Sequence, residues 1–67
     1  MSDNEDAEFR ARVLEGRILR AALELSRHTG KAMRTALDIA ARDLAGPSGW
    51  RIEDTVEGPR IIVNRVP

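Results

Sequence analysis

The stretch Ala45-Gly46-Pro47-Ser48-Gly49 divides this chain into two parts that obey different periodicities. Gly46 can adopt the left-handed conformation that ends a helix, and Pro47 cannot continue one. Upstream of this break, apolar residues return every three or four positions, the spacing of an amphipathic helix. Downstream, WRIEDTV and RIIVNRV are short and rich in β-branched residues, the composition of strands. The division predicts an α+β fold: a two-helix hairpin followed by a C-terminal β-hairpin (ααββ), in a small single domain over residues 7–67. The helices are expected at about 7–28 and 31–45 and the hairpin at about 50–66. Residues 1–6 are expected to form a disordered acidic tail, with Ser2 and Glu5, or Asp6 alone, as the cap of the first helix.

In the first helix, Ala11, Leu14, Ile18, Ala21, Ala22 and Leu25 fall on one face about 100° wide, the expected core face. Leu19 and Leu23 lie off that face with Ser26 beside them. A helix with a second apolar strip touches two bodies, here the second helix and either the hairpin or another subunit. Gly16 interrupts the helix at a cost of about 1 kcal/mol against alanine. It is either simply tolerated or marks the close approach of another helix. Gly30 is placed to stop the first helix. In the second, Met33, Ala36, Leu37, Ala40 and Leu44 share a face.

If Glu57-Gly58 is the hairpin turn, Ile52 faces Val63 and Trp50 faces Arg65 on one side, while Glu53 faces Ile62 on the other. A lone hairpin is barely stable in water and must pack on the helices or pair with another chain. Trp50 is expected to anchor it on the core, or else to serve as an interface hot spot. The free edge of Arg60–Val66 offers a site for strand addition across a dimer. Leu19, Leu23, Trp50 and Ile62 are therefore the candidate interface residues.

With 67 residues, no cysteine and one histidine, the chain has neither a disulfide nor a self-contained zinc site to support a marginal core. Self-association, most simply a homodimer, is the expected support. The absence of cysteine fits a reducing compartment. MSDNEDAE lacks the basic start and apolar stretch of a signal peptide, and no apolar run is long enough to span a bilayer. The expectation is a cytoplasmic protein with no membrane association.

The zero net charge conceals a division. Residues 1–8 hold four acids and no base, residues 9–34 hold seven bases against two acids, and residues 35–67 hold four bases and five acids. Arg10, Arg17, Arg20 and Arg27 form a ridge along one flank of the first helix, a candidate surface for an acidic protein partner. The competing account is local pairing at four-residue spacing: Glu8–Arg12, Arg20–Glu24, Arg34–Asp38 and Asp38–Arg42.

LSRHTGKAMRTALDI resembles a helix-turn-helix, with small Ser26 four residues before Gly30 and apolar Ala36 and Ile39 behind the second helix. It departs from that motif at Lys31, where an apolar residue commonly locks the turn. On this alternative, Arg27, Lys31, Arg34, Thr35 and Arg42 would contact double-stranded DNA, and the hairpin would act as a wing. Asp38 in their midst, and Glu53, Asp54 and Glu57 near the wing tip, oppose it.

Catalysis has little to draw on. His28 sits at a helix end without a neighbouring nucleophile and acid, Glu53 and Asp54 point to opposite faces of a strand, and no glycine-rich phosphate loop is present. No catalytic residue, metal, cofactor or small-molecule substrate is predicted. The expected function is that of a non-enzymatic binding or regulatory protein that acts as a homodimer and engages a protein partner. The alternative is a small DNA-binding protein, such as a transcriptional regulator or a phage or plasmid accessory factor.

Overall fold

A computed structural model describes residues 3–65. The chain folds as α1 (Asp3–Thr29), α2 (Met33–Ala45), β1 (Trp50–Thr55) and β2 (Gly58–Val63), the expected ααββ order. The two strands form one antiparallel sheet. At 1.5 Å per residue, the 27 residues of α1 extend about 40 Å, and the molecule is 42 Å long. The other elements are therefore laid along a single helix.

The start of α1 corrects the expectation. It begins at Asp3, so residues 3–6 of the expected tail form its first turn, and Asp6 lies inside the helix instead of capping it. Acids in the first turns meet the positive end of the helix dipole, which favours extending the helix through them. Arg27 and His28 occupy the last turn, matching the negative end. The cap assigned to Ser2 lies outside the described residues.

Gly30 ends the helix as expected: its φ is +73°, and its N–H donates to the Ser26 carbonyl at 2.9 Å. Two hydroxyls wind the turn that follows. Ser26 Oγ donates to the Lys31 carbonyl at 2.7 Å, and Thr29 Oγ1 accepts the Lys31 N–H at 3.3 Å. With both its backbone groups held in the turn, Lys31 does not open the second helix. Instead α2 starts at Met33, behind Ala32.

The core is built around fully buried Ile18 and Leu37. Ala11 and Ala22 of α1 meet Ala36, Ala40 and Ala41 of α2, and Ile61 and Val63 of β2 complete the cluster. Leu14, Ala21, Leu25, Met33, Trp50 and Ile52 pack around it, half-buried. Leu44 and Ile39, expected to pack inward, are exposed. Beyond Gly46 the chain returns Trp50 against the core, and its indole N–H donates to the Gly46 carbonyl at 2.8 Å. Ala41 and Ala45 contribute to that packing and Leu44 is left outside.

The hairpin register differs from the expected one. Trp50 pairs with Val63, Ile52 with Ile61 and Thr55 with Gly58, so the turn is Val56-Glu57. Gly58 takes a φ of +117° immediately after it. Thr55 Oγ1 braces the turn, donating to the Gly58 carbonyl at 2.8 Å and accepting the Glu57 N–H at 3.2 Å. Trp50, Ile52, Ile61 and Val63 form the face turned to the helices, while Ile62 lies on the other face opposite Arg51.

Candidate functional site

α1 carries two apolar faces. The inward one is built largely of small residues, with Ala7, Ala11, Ile18 and Ala22 buried. The outward one holds Phe9, Val13, Leu19 and Leu23, at 69%, 42%, 43% and 48% exposure. At 100° per residue these four fall with Gly16 within about 120° of one another. A Cβ added at Gly16 would meet nothing within 4 Å.

Of the arginines named from the sequence, Arg10 and Arg17 border this strip, while Arg20 falls within its arc, as Arg12 does. Arg10 and Arg17 flank a shallow groove with Phe9 and Val13, and Arg17 and Arg20 flank the next one with Val13 and Gly16. Arg27 stands further along the helix, exposed. None of Arg10, Arg17, Arg20 and Arg27 forms an ion pair among the described residues. On the other side of the strip, Gly16 and Leu19 share a groove with Pro59 and Arg60 at the start of β2.

Of the pairs expected at four-residue spacing, Glu8–Arg12 forms at 3.0 Å and Asp38–Arg42 at 3.1 Å. Arg20–Glu24 does not form among the described residues. Arg34 passes over Asp38 to bond Asp54 of β1. Arg42 also sits 5.8 Å from the centre of the Trp50 ring. Two of the five residues considered for DNA contact are thus tied to acids of the same chain. Arg27, Lys31 and Thr35 remain exposed.

The candidate interface residues do not form one surface. Leu19 and Leu23 share the outward face of α1, Trp50 is committed to the core, and Ile62 lies on the far face of the sheet. Phe9 and Val13 belong with Leu19 and Leu23, a link that their three- and four-residue spacing already contained.

The edge of β2, considered for strand addition, is largely occupied. The Val63 N–H donates to Glu15 Oε2 at 2.8 Å, and the Val63 carbonyl accepts from Arg65 Nη1 at 2.7 Å. Backbone groups alternate in direction along an antiparallel strand, so those of Ile61 and Pro59 also face outward. Pro59 has no N–H, which leaves at most that of Ile61 for an incoming strand.

Arg65 ties this edge to α1, reaching Glu8 at 2.8 Å and Glu15 at 2.5 Å. The Arg65 hydrogen bond, with that of Arg12 after it, holds the Glu8 carboxyl below its ordinary value. Glu8 and then Glu15 raise the affinity of the Arg65 guanidinium for its proton. No sequence signal marked this cluster, because its closure depends on the hairpin register.

Among the described residues, no three metal-ligating side chains converge. His28 is exposed in the last turn of α1. No helix of the described residues is long and apolar enough to cross a membrane. Comparison with protein-family models, curated proteins and solved structures gave no match to this chain.

Proposed function

We propose that this chain is a small, non-enzymatic, cytoplasmic binding protein that acts as a homodimer and engages an acidic protein partner. The observation that carries the reading is the outward face of α1, where arginines with no ion pair among the described residues stand beside and within an apolar strip. Large apolar side chains exposed in a row mark interaction surfaces on small proteins. Arginine suits such a rim, since its planar guanidinium pairs with carboxylates while its stem covers apolar surface. Arg10, Arg17 and Arg20 are assigned to the acidic partner.

DNA binding has less support, because Arg34 and Arg42 are engaged by Asp54 and Asp38. The test has two arms. A labelled random-sequence duplex is titrated with the protein at about 50 and 200 mM salt and followed by anisotropy. Affinity capture is run in parallel with the wild type and with a variant combining Arg17→Glu and Arg20→Glu. A protein retained by the wild type and lost by the variant, with no duplex binding at the lower salt, supports the reading. Duplex binding that weakens steeply with salt, and that is lost with Arg34→Ala and Arg42→Ala, overturns it in favour of DNA.

A further inference from the structure

The four exposed apolar residues of α1 are arranged symmetrically. Phe9 lies seven residues before Gly16 and Leu23 seven after; Val13 lies three before and Leu19 three after. Steps of three and seven keep all four on one helix face, and a second copy of the same helix, antiparallel and related by a twofold axis at Gly16, matches them pair by pair. Phe9 then packs against Leu23 of the second copy, and Val13 against its Leu19. We infer that two copies of this chain pair through α1, antiparallel, with their helices crossing at Gly16. This deepens the homodimeric part of the proposed function and rests on it.

Three further observations support this occupant. Gly16 is exposed, and nothing within the chain fills the space of its missing side chain. Its cost to the helix, about 1 kcal/mol, has no return within one chain. At a crossing point it allows two backbones to approach more closely than the usual separation of about 8–10 Å.

Charge is the second. Along α1 the acids Glu5, Asp6 and Glu8 stand at the start, while Arg10, Arg12, Arg17, Arg20 and Arg27 follow. An antiparallel pair brings Glu5 and Asp6 of one copy to Arg27 of the other. It also sets Glu24 near Arg10 of the other copy, on the same flank. A parallel pair would place acid beside acid; the antiparallel pair sets Arg12 opposite Arg20 of the other copy, and Arg12 there keeps its own counter-charge in Glu8. Arg17 meets its own counterpart at the axis and finds no acid there, so this is where an acidic protein partner would add.

Area is the third. Phe9 to Leu23 spans about 21 Å of helix. Four large side chains per copy, with the stems of Arg12 and Arg20, bury on the order of 1,000 Å² in total, the lower bound for a specific interface.

The test uses the full chain. Sedimentation equilibrium gives the dimer constant for the wild type, Leu23→Glu and Gly16→Leu, with circular dichroism to confirm that each variant stays helical. Both positions are exposed, so the fold is expected to survive, while dimerisation weakens about tenfold or more. Because the chain has no cysteine, single cysteines report orientation. Gly16→Cys should form a disulfide-linked dimer in air. Phe9→Cys alone should not, its two copies being about 20 Å apart, but mixed with Leu23→Cys it should.

A dimer unaffected by both variants lies on another face, which overturns this inference and leaves the homodimeric reading standing. Self-linking of Phe9→Cys overturns the antiparallel arrangement. A chain that stays monomeric at all concentrations overturns the inference and the homodimer together, without touching the binding of an acidic partner.

Discussion

The two faces of α1 invert the usual distribution of bulk. Its inward face is largely alanine, with Ile18 the one large side chain fully buried, while the only phenylalanine of the chain is 69% exposed. Small inward residues allow α2 to lie close, since Ala22 meets Ala36, Ala40 and Ala41 in the same cluster. The large outward residues stay 42–69% exposed in their own chain. A helix serving only a monomeric core would carry its bulk inside, because burial of apolar area is the main favourable term in folding. The difference teaches that α1 presents two packing problems, one solved within the chain and the other left to the partner proposed above.

The comparison is tested most severely by truncating one residue on each face. Ile18→Ala should lower stability by about 2–5 kcal/mol, since it empties a fully buried site. For a domain of this size that is most of the total. Phe9→Ala, measured at a concentration where the chain is monomeric, should change stability by less than about 0.5 kcal/mol. Urea denaturation followed by circular dichroism reads both. A large effect of Phe9→Ala in the monomer would mean that the outward face also serves the core.

Next in size is the flank where α1 holds the sheet. Glu15→Ala removes the acceptor of the half-buried Val63 N–H and should cost about 1–2 kcal/mol. Glu15→Gln, which keeps a carbonyl in reach, should recover part of that loss. Amide exchange at Val63, followed by NMR, should rise sharply in the alanine variant and less in the glutamine variant.

Much of this architecture was legible in the sequence, and the failures have physical causes. The periodicity up to Ala45 and the stops at Gly30 and Gly46 are local signals, and the helices follow them. The start of α1 was misplaced because acids that look like a solvated tail are also good residues for a helix N-terminus. The hairpin partners were misplaced because Glu57-Gly58 reads as a turn, whereas Gly58 takes its positive φ just after Val56-Glu57. The partners moved by two positions, which preserves the side of every residue, since only an odd shift exchanges faces. Trp50 and Ile52 therefore remain on the core side as expected. Arg65 does not face Trp50 but reaches Glu8 and Glu15, and that cluster is non-local and left no trace in the sequence. In the candidate site the arginine ridge was legible, but the apolar strip was seen only in part, through Leu19 and Leu23.

A smaller effect separates the glycine of the outward face from the residues around it. Gly16→Ala should stabilise the monomer by about 0.5–1 kcal/mol, since alanine is the better helix former and its Cβ meets nothing. Thermal melting of dilute protein should show a higher midpoint. An unchanged or lower midpoint in the monomer would mean that Gly16 serves the chain's own fold.

The smallest effect is on pH, and it belongs to the seam between α1 and the C-terminal end of the sheet. The Glu8 carboxyl titrates below its ordinary value of 4.5 because Arg65, and then Arg12, bond its ionised form. A carboxyl whose folded value is depressed stabilises the fold above the unfolded value. That contribution is lost as the pH falls through the folded value. Stability measured by urea denaturation should therefore decline below about pH 4.5. In Glu8→Gln, which cannot ionise, the decline over that range should be shallower, and stability at neutral pH slightly lower. Both carboxylates that meet Arg65 are partly exposed, so added salt should flatten the wild-type profile toward that of the variant. If wild type and Glu8→Gln decline in parallel, the seam owes its hold to Glu15 and the Val63 backbone alone, and Glu8 is a surface charge like the others on the outward side of α1.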